Sequence, residues 1–353
     1  MGEREFCEET IAELNRTIPA DFWCWSLVDP DSLLHWPFVS KPAAATLRSD
    51  VTGWHVAVEQ HESALSRHAV GRARESVATL TRATAGERSR SLRWLDFWQP
   101  HGVGDVAVWA CRDPHGCWGC LEALRADDCQ SFSDEDAALL SSLSGAYGAA
   151  LRARAGRVTA AVERRAPGVL VLDDDLKPAS WTPSAREWLT ELPDESPLTT
   201  MGLLPAVVYA VAGRATAPAS IARLGHRVRL STDSGSWAVV EGAPLEGERQ
   251  GQVVVTFRAA EPSEVADLFC RVHALTNRER QLAALVTAGL STRAIAAQLH
   301  LSSYTVKDHF KAIFAKTGVN SRVQLAVMLT GGAPVAAEPE PAPPKRSRHA
   351  GSR

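Results

Sequence analysis

A chain of 353 residues, 45% hydrophobic and 22% charged, is too long for one ordinary core and too apolar to be disordered, so two or three folded domains are expected. The net charge of -3 is unevenly spread: residues 1–269 hold 26 Lys and Arg against 37 Asp and Glu, residues 270–330 hold 8 against 2, and the tail adds 4 against 2. A basic module on an acidic body implies a polyanion partner for that module alone. No run approaches the roughly 20 apolar residues of a membrane span. The first residues lack a signal-peptide core, and Phe6 stands where a myristoylation motif wants Ser or Thr. Seven cysteines in a long chain do not read as a secreted disulfide framework. A cytoplasmic protein without a membrane partner is expected.

Residues 3–17 read as a polar helix, and Phe22-Trp23-Cys24-Trp25-Ser26-Leu27-Val28 as a strand stopped by Asp29-Pro30-Asp31. A helix is expected around Val56–Leu65. Two strand-like runs, Gly104–Arg112 and Cys117–Leu124, flank Asp113-Pro114-His115-Gly116 and predict a β-hairpin. Ser133 with Asp134, Glu135 and Asp136 predicts a helix start. That helix could run to about Arg165, its apolar residues spaced to pair with a second copy or to pack on its own domain. Gly145 and Gly148 weaken it by up to about 1 kcal/mol each.

Gly168–Leu172 and Lys177–Trp181 read as strands, with the acidic run Asp173-Asp174-Asp175 as the turn between them, and Thr182 and Pro183 open a helix. Strands are expected near Ser220–Leu230, Ser236–Val240 and Gln252–Phe257, giving a mostly antiparallel sheet with helices on one side. No internal repeat is visible. From Gly331 the Pro-, Ala- and Glu-rich chain is expected to be disordered.

Residues 20–150 are similar to a GAF domain, through the strand and turn of Trp25 to Leu33, the later hairpin and the long exit helix. Residues 168–258 resemble a PAS domain, through Val169-Leu170-Val171-Leu172-Asp173 followed by Thr182 to Leu189. Both families share a half-open sheet that holds a small ligand or a dimer contact.

The basic module has its own grammar. Thr276-Asn277-Arg278-Glu279 is a capping box, and Leu282, Leu285 and Val286 give the helix an apolar face that Gly289 closes. Ser291 caps a second helix with Ile295 and Leu299 inward, Leu301 plugs a turn, and Ser302 caps a third helix. There Val306, Phe310, Ile313, Phe314 and Thr317 follow the buried spacing, leaving Tyr304, Lys307, Asp308, Lys311 and Ala315 on the opposite face. A fourth helix begins near Asn320 with Val323, Ala326 and Val327 inward. Four short helices of this kind make a helix-turn-helix unit that can present its third helix to the major groove. Asp308 would repel phosphate, yet its carboxylate can accept from cytosine N4.

At these positions the chain resembles the LuxR-type (GerE-like) family. The motif is Leu275 to Arg280, Gly289-Leu290-Ser291, Ile295-Ala296, Leu299, Ser302, Thr305-Val306-Lys307, His309, Ile313, Lys316, Gly318-Val319 and Arg322, within 276–327, 52 of 353 residues. The resemblance implies a DNA-binding transcription regulator that acts as a homodimer on double-stranded DNA. By that likeness Lys307, Asp308 and Lys311 face the groove, and Ser302, Ser303, Thr305 and His309 lie near the backbone. Two positions depart from the family pattern: Ala294 stands where Glu is usual, and Asp308 where an apolar or basic residue is common.

Cys117-Trp118-Gly119-Cys120, with Cys111 nearby, is a candidate redox or metal set, although the motif begins a strand and lacks a second ligand pair. Buried structural cysteines are the alternative. Eight of eleven tryptophans precede residue 120 and form either a core or an aromatic pocket. No P-loop, G-x-S-x-G or H-E-x-x-H pattern is present, so no enzyme, cofactor or catalytic residue is expected. The competing reading is a redox- or ligand-sensing enzyme or dithiol protein that carries a DNA-binding module.

The expected whole is a multidomain α+β chain. A GAF-like domain occupies 1–132, a helical connector 133–166, a PAS-like domain 167–260, a linker 261–274, the all-α four-helix helix-turn-helix domain 275–330 and the tail 331–353. A small-molecule effector and RNA polymerase are further candidate partners.

Overall fold

The structure is a computed structural model that describes residues 3–41, 64–155, 165–193, 204–232, 234, 236–247 and 250–329. Most of the helix expected at Val56–Leu65 and the whole tail from Gly331 lie outside the described residues. The chain divides into two compact units, Met1–Ala274 and Leu275–Arg353. No helix among the described residues is long and apolar enough to cross a membrane.

The first unit holds two five-stranded antiparallel sheets. The first joins β1 (Phe22–Val28), β2 (His35–Lys41), β3 (Val77–Thr79), β4 (Val103–Asp113) and β5 (Gly116–Ala126) in the order β2-β1-β5-β4-β3. The second joins β6 (Gly168–Leu172), β7 (Pro178–Trp181), β8 (Arg227–Ser231), β9 (Trp237–Pro244) and β10 (Val253–Ala259) in the order β7-β6-β10-β9-β8. Each sheet therefore places its strands second, first, fifth, fourth, third. The sequence shows no repeat, but the topology repeats. Strand order is set by turns and by which faces are apolar, and both can be met by unrelated residues.

The expected hairpin is β4 and β5, and Thr182 caps the expected helix, its hydroxyl accepting from Ala185 N. Asp173 forms the expected turn, its Oδ1 accepting from the backbone N–H of Asp175 at 3.0 Å and Lys177 at 2.8 Å. Buried Trp23, Trp25, Trp98 and Trp109 belong to the core.

Other expectations are corrected. The strand placed at Ser220–Leu230 is a helical turn, Ala219–Ala222, followed by a strand only from Arg227. The helix Ala206–Ala215 was not anticipated, because all ten of its residues are buried. A helix apolar on every side carries no amphipathic period. The supposed linker 261–274 contains the helix Pro262–Val272, started by a capping box of Glu261 and Glu264.

The helix expected as a connector runs Asp134–Ala155; residues 156–164 lie outside the described set, and Arg165 is not helical. Its buried residues Ala137, Leu140, Ser144, Gly148 and Leu151 lie against the first sheet, so it forms a layer of that sheet's own core. Gly148 is required there: a Cβ would sit 2.5 Å from the Arg112 carbonyl carbon.

Candidate nucleic-acid interface

Among the described residues the second unit holds four helices: Asn277–Thr287, Thr292–Gln298, Ser303–Thr317 and Arg322–Leu329. Each of the first three starts where a short hydroxyl side chain satisfies an orphan amide. Thr276 accepts from Glu279 N, Ser291 from Ala294 N and Ser302 from Thr305 N. The capping box at Thr276 is closed by Glu279 Oε2, which accepts from Thr276 N at 2.7 Å. At Ser291 the half-box stands alone, since Ala294 has no carboxylate to return the bond.

The turn before the third helix is fixed by backbone. His300 takes φ 53, and the N–H groups of His300 and Leu301 donate to Ala297 O at 3.3 Å and Ala296 O at 2.8 Å. This is a Schellman end with histidine at the left-handed position, where the residue must turn the chain without continuing the helix. Arg278 Nη2 reaches Leu299 O at 2.6 Å and holds that turn to the first helix.

Ser303–Thr317 buries Val306, Phe310, Ile313 and Thr317, with Phe314 half-buried. Gly318, at φ 74, ends it, its N–H donating to Phe314 O at 2.9 Å. Lys316 Nζ bonds Glu279 Oε2 at 2.6 Å. Burial would raise the Glu279 pKa, but Lys316 and the hydrogen bonds from Thr276 outweigh it and hold the carboxyl below its usual range. That pair ties the end of the third helix to the start of the first, and sequence spacing could not reveal it across 37 residues.

On the opposite face Ser302, Ser303, Tyr304, Lys307, Asp308, Lys311 and Ala315 are all exposed, Tyr304 to 72%, while Thr305 and His309 are half-buried. The structure thus brings the expected set together along one helix. Lys311 Nζ lies 3.2 Å from Asp308 Oδ1, so the carboxylate tempers one of the two lysines of this face. Arg293, at the start of the second helix, is also exposed and has no ion pair among the described residues; the sequence reading passed over it. The fourth helix is corrected: Val323 is 72% exposed, and Leu325 and Leu329 are the inward pair.

The C-x-x-C residues lie far from this face in sequence. In a regular strand, residues three apart face opposite sides. A register shift pairs Cys111 with Gly119 and Arg112 with Cys117, turning Cys117 and Cys120 to the same side with their sulfurs 4.0 Å apart. Cys111 faces the other core. The hydrogen bond shared with Cys117 and burial push the Cys120 thiol pKa well up, which disfavours the reactive thiolate. Among the described residues no group of three or more His, Cys, Asp or Glu could hold a metal ion.

Residues 273–329 match the family model of bacterial regulatory proteins, luxR family. A stretch of 118 residues is 34% identical to a putative HTH-type transcriptional regulator of Aeromonas salmonicida, covering 30% of this chain and 60% of that protein. The monoamine regulon transcriptional regulator of Klebsiella aerogenes is 47% identical over 51 residues, 14% of this chain and 22% of that protein. The transcriptional regulatory protein DegU of Brevibacillus brevis is 43% identical over 56 residues, 16% and 24% of the two. The chain thus spans 60% or less of the length of these curated relatives.

Among solved structures, SdiA of Escherichia coli aligns over 94% of this chain and 92% of that chain at 12% identity, with a TM-score of 0.32. A GAF domain/HD domain protein of Geobacter sulfurreducens aligns over 42% and 90% at 14% identity, with a TM-score of 0.28. Residues 273–329 are a luxR-family helix-turn-helix domain.

Proposed function

We propose that this protein is a cytoplasmic, sequence-specific transcription regulator, with the two-sheet unit as the sensor and the luxR-family domain as the DNA-binding output. The observation that carries the reading is the exposed polar and basic face of Ser303–Thr317 inside a domain matched by that family model. Lys307 and Lys311 supply cationic contacts, Tyr304 and Asp308 reach base edges, and Ser302, Ser303, Thr305 and His309 flank the backbone, with Arg293 as a further phosphate contact. With two lysines and one carboxylate on the face, affinity per copy is modest. A homodimer placing two recognition helices about one DNA turn apart would supply the rest. The GAF-like and PAS-like domains receive the input, for which a small molecule is the simplest candidate, and RNA polymerase is the downstream partner of such an output.

The test is a gel-shift titration at fixed salt against the DNA upstream of the protein's own coding region and a scrambled control. Lys307→Ala and Lys311→Ala are each expected to weaken binding without changing the thermal transition. For a lysine that touches phosphate, the slope of log affinity against log salt flattens by about one. Wild-type affinity in both variants removes this face from the interface.

A further inference from the structure

The helix Pro262–Val272 is followed after two residues by the second unit, which begins at Leu275. Its first turn is fastened to the second sheet. Glu264 takes two bonds from Arg258, both at 2.7 Å, and one from Arg227 at 3.0 Å, while its backbone oxygen accepts from Arg229 Nη1 at 2.9 Å. Its last turn is fastened to the first sheet. Arg271 Nη2 pairs with Asp31 Oδ1 at 2.6 Å in the turn between β1 and β2. Arg152, held by Asp113 at 2.6 Å, donates to Val272 O at 2.8 Å. Leu268 and Val272 complete the first sheet's core on the same side.

The two sheets are themselves joined at a buried point beside this helix. Asp29, 3% exposed, accepts from the Arg229 backbone N–H at 2.8 Å, from Nε at 3.0 Å and from Nη2 at 2.9 Å, and Asp31 bonds the same guanidinium. Leu34 and Trp36, from the same β1–β2 hairpin, enter the core of the second sheet. The guanidinium of Arg229 thus touches the β1–β2 turn of one sheet and the exit helix at once, and Asp31 links Arg229 to Arg271.

We propose that this helix is a two-ended strut, and that Asp31, Arg229, Arg271 and Arg152 are positioning residues through which the two sheets set where the chain departs for the DNA-binding domain. A shift of either sheet loads one end of the helix while the other stays anchored, so input at either sheet reaches the departure point. Electrostatic ties suit this role because they break and re-form at discrete partners, whereas packed apolar faces resist small displacements. The inference rests on the reading of the second unit as DNA-binding.

The experiment uses the full chain with Arg271→Gln, Asp31→Asn, both together, and Arg271→Lys as the conservative control. Two quantities are read: amide hydrogen exchange by mass spectrometry, and affinity for the DNA that the wild type retains in a gel shift. Each single variant is expected to raise exchange over residues 268–273 by about ten-fold, with the strands of both sheets unchanged. Each is also expected to change Kd by about 2- to 30-fold. The Asp31–Arg271 tie is lost in both single variants, so the double variant is expected to fall short of the sum of the singles, and Arg271→Lys, which keeps the charge, moves both readings back toward the wild-type values. Raised exchange with unchanged Kd, or additive effects in the double variant, overturns the positioning role. A wild type that binds no DNA in a salt-dependent way overturns the DNA reading instead, and the exchange data still decide whether the helix is held at both ends.

Discussion

The two sheets share one strand order and solve burial differently. In the first, β4 and β5 are buried on both faces over most of their length, with one core under the helices Glu3–Thr17 and Asp134–Ala155 and another on the far side. In the second, β6 alternates buried and half-buried residues, and one apolar core around the helix Ala206–Ala215 dominates. The first sheet sets a charge cluster inside its far-side core. Glu122, 0% exposed, meets Arg93 Nη2 at 3.0 Å and Arg67 Nη2 at 3.3 Å. Arg67 Nη1 donates to His35 Nε2 at 2.8 Å, and Arg93 lies 4.2 Å over the Trp98 ring. A common topology therefore does not dictate a common interior. The sheet buried on both faces encloses a carboxylate between two arginines, so its stability is expected to depend on that charge.

The largest expected effect tests that contrast. Removing one member of a buried ion pair strands the others in low dielectric, so Glu122→Ala is expected to cost about 3–5 kcal/mol in urea unfolding. Leu172→Ala, a cavity in the second sheet's core, is expected to cost about 2–5 kcal/mol. Their pH dependences separate them. Burial would raise the Glu122 pKa, but Arg67 and Arg93 beside it prevail and lower it. A carboxyl lowered in the folded state stabilises fully above its unfolded value of about 4.3 and loses that contribution as pH falls through the folded value. The Glu122→Ala deficit should therefore shrink in acid, below pH about 4, while the Leu172→Ala deficit stays flat. Equal pH profiles would remove the charge cluster from the stability of the first sheet.

Local chemistry was legible in the sequence and long-range pairing was not. Thr182, Thr276, Ser291 and Ser302 act as caps because an N-cap needs only a hydroxyl and the next three residues. The Asp29–Arg229 pair spans 200 residues and leaves no mark on local pattern. The helix Ala206–Ala215 was hidden by its complete burial. The fourth DNA-domain helix was placed out of phase, because Val323 and Leu325 are equally apolar and only packing distinguishes them. On the helix Ser303–Thr317, the exposed lysines and Asp308 were legible from spacing alone, whereas the Glu279–Lys316 clamp needed the fold.

Glycines in the long helix sharpen the point at smaller scale. Propensity treats Gly145 and Gly148 alike, as two weak points of one helix. The structure separates them: Gly148 lies against β4, and an added Cβ would meet three Arg112 backbone atoms between 2.5 and 2.8 Å. Because backbone cannot swing aside as a side chain can, Gly148→Ala is expected to cost about 1–3 kcal/mol by overpacking, read as a lower urea midpoint with unchanged slope.

Gly145 is exposed on the same helix, and an added Cβ there meets nothing within 4 Å. Its backbone is helical, so alanine can adopt the native angles without strain, and the unfolded chain loses the extra freedom that glycine gives it. Gly145→Ala is therefore expected to stabilise the protein by up to about 1 kcal/mol. The two substitutions are chemically identical and three residues apart, so helix propensity cancels between them and the difference in urea midpoint reports the contact with β4. If both stabilise, the helix stands off the sheet at Gly148. Opposite signs fix it as a layer of the first sheet's core.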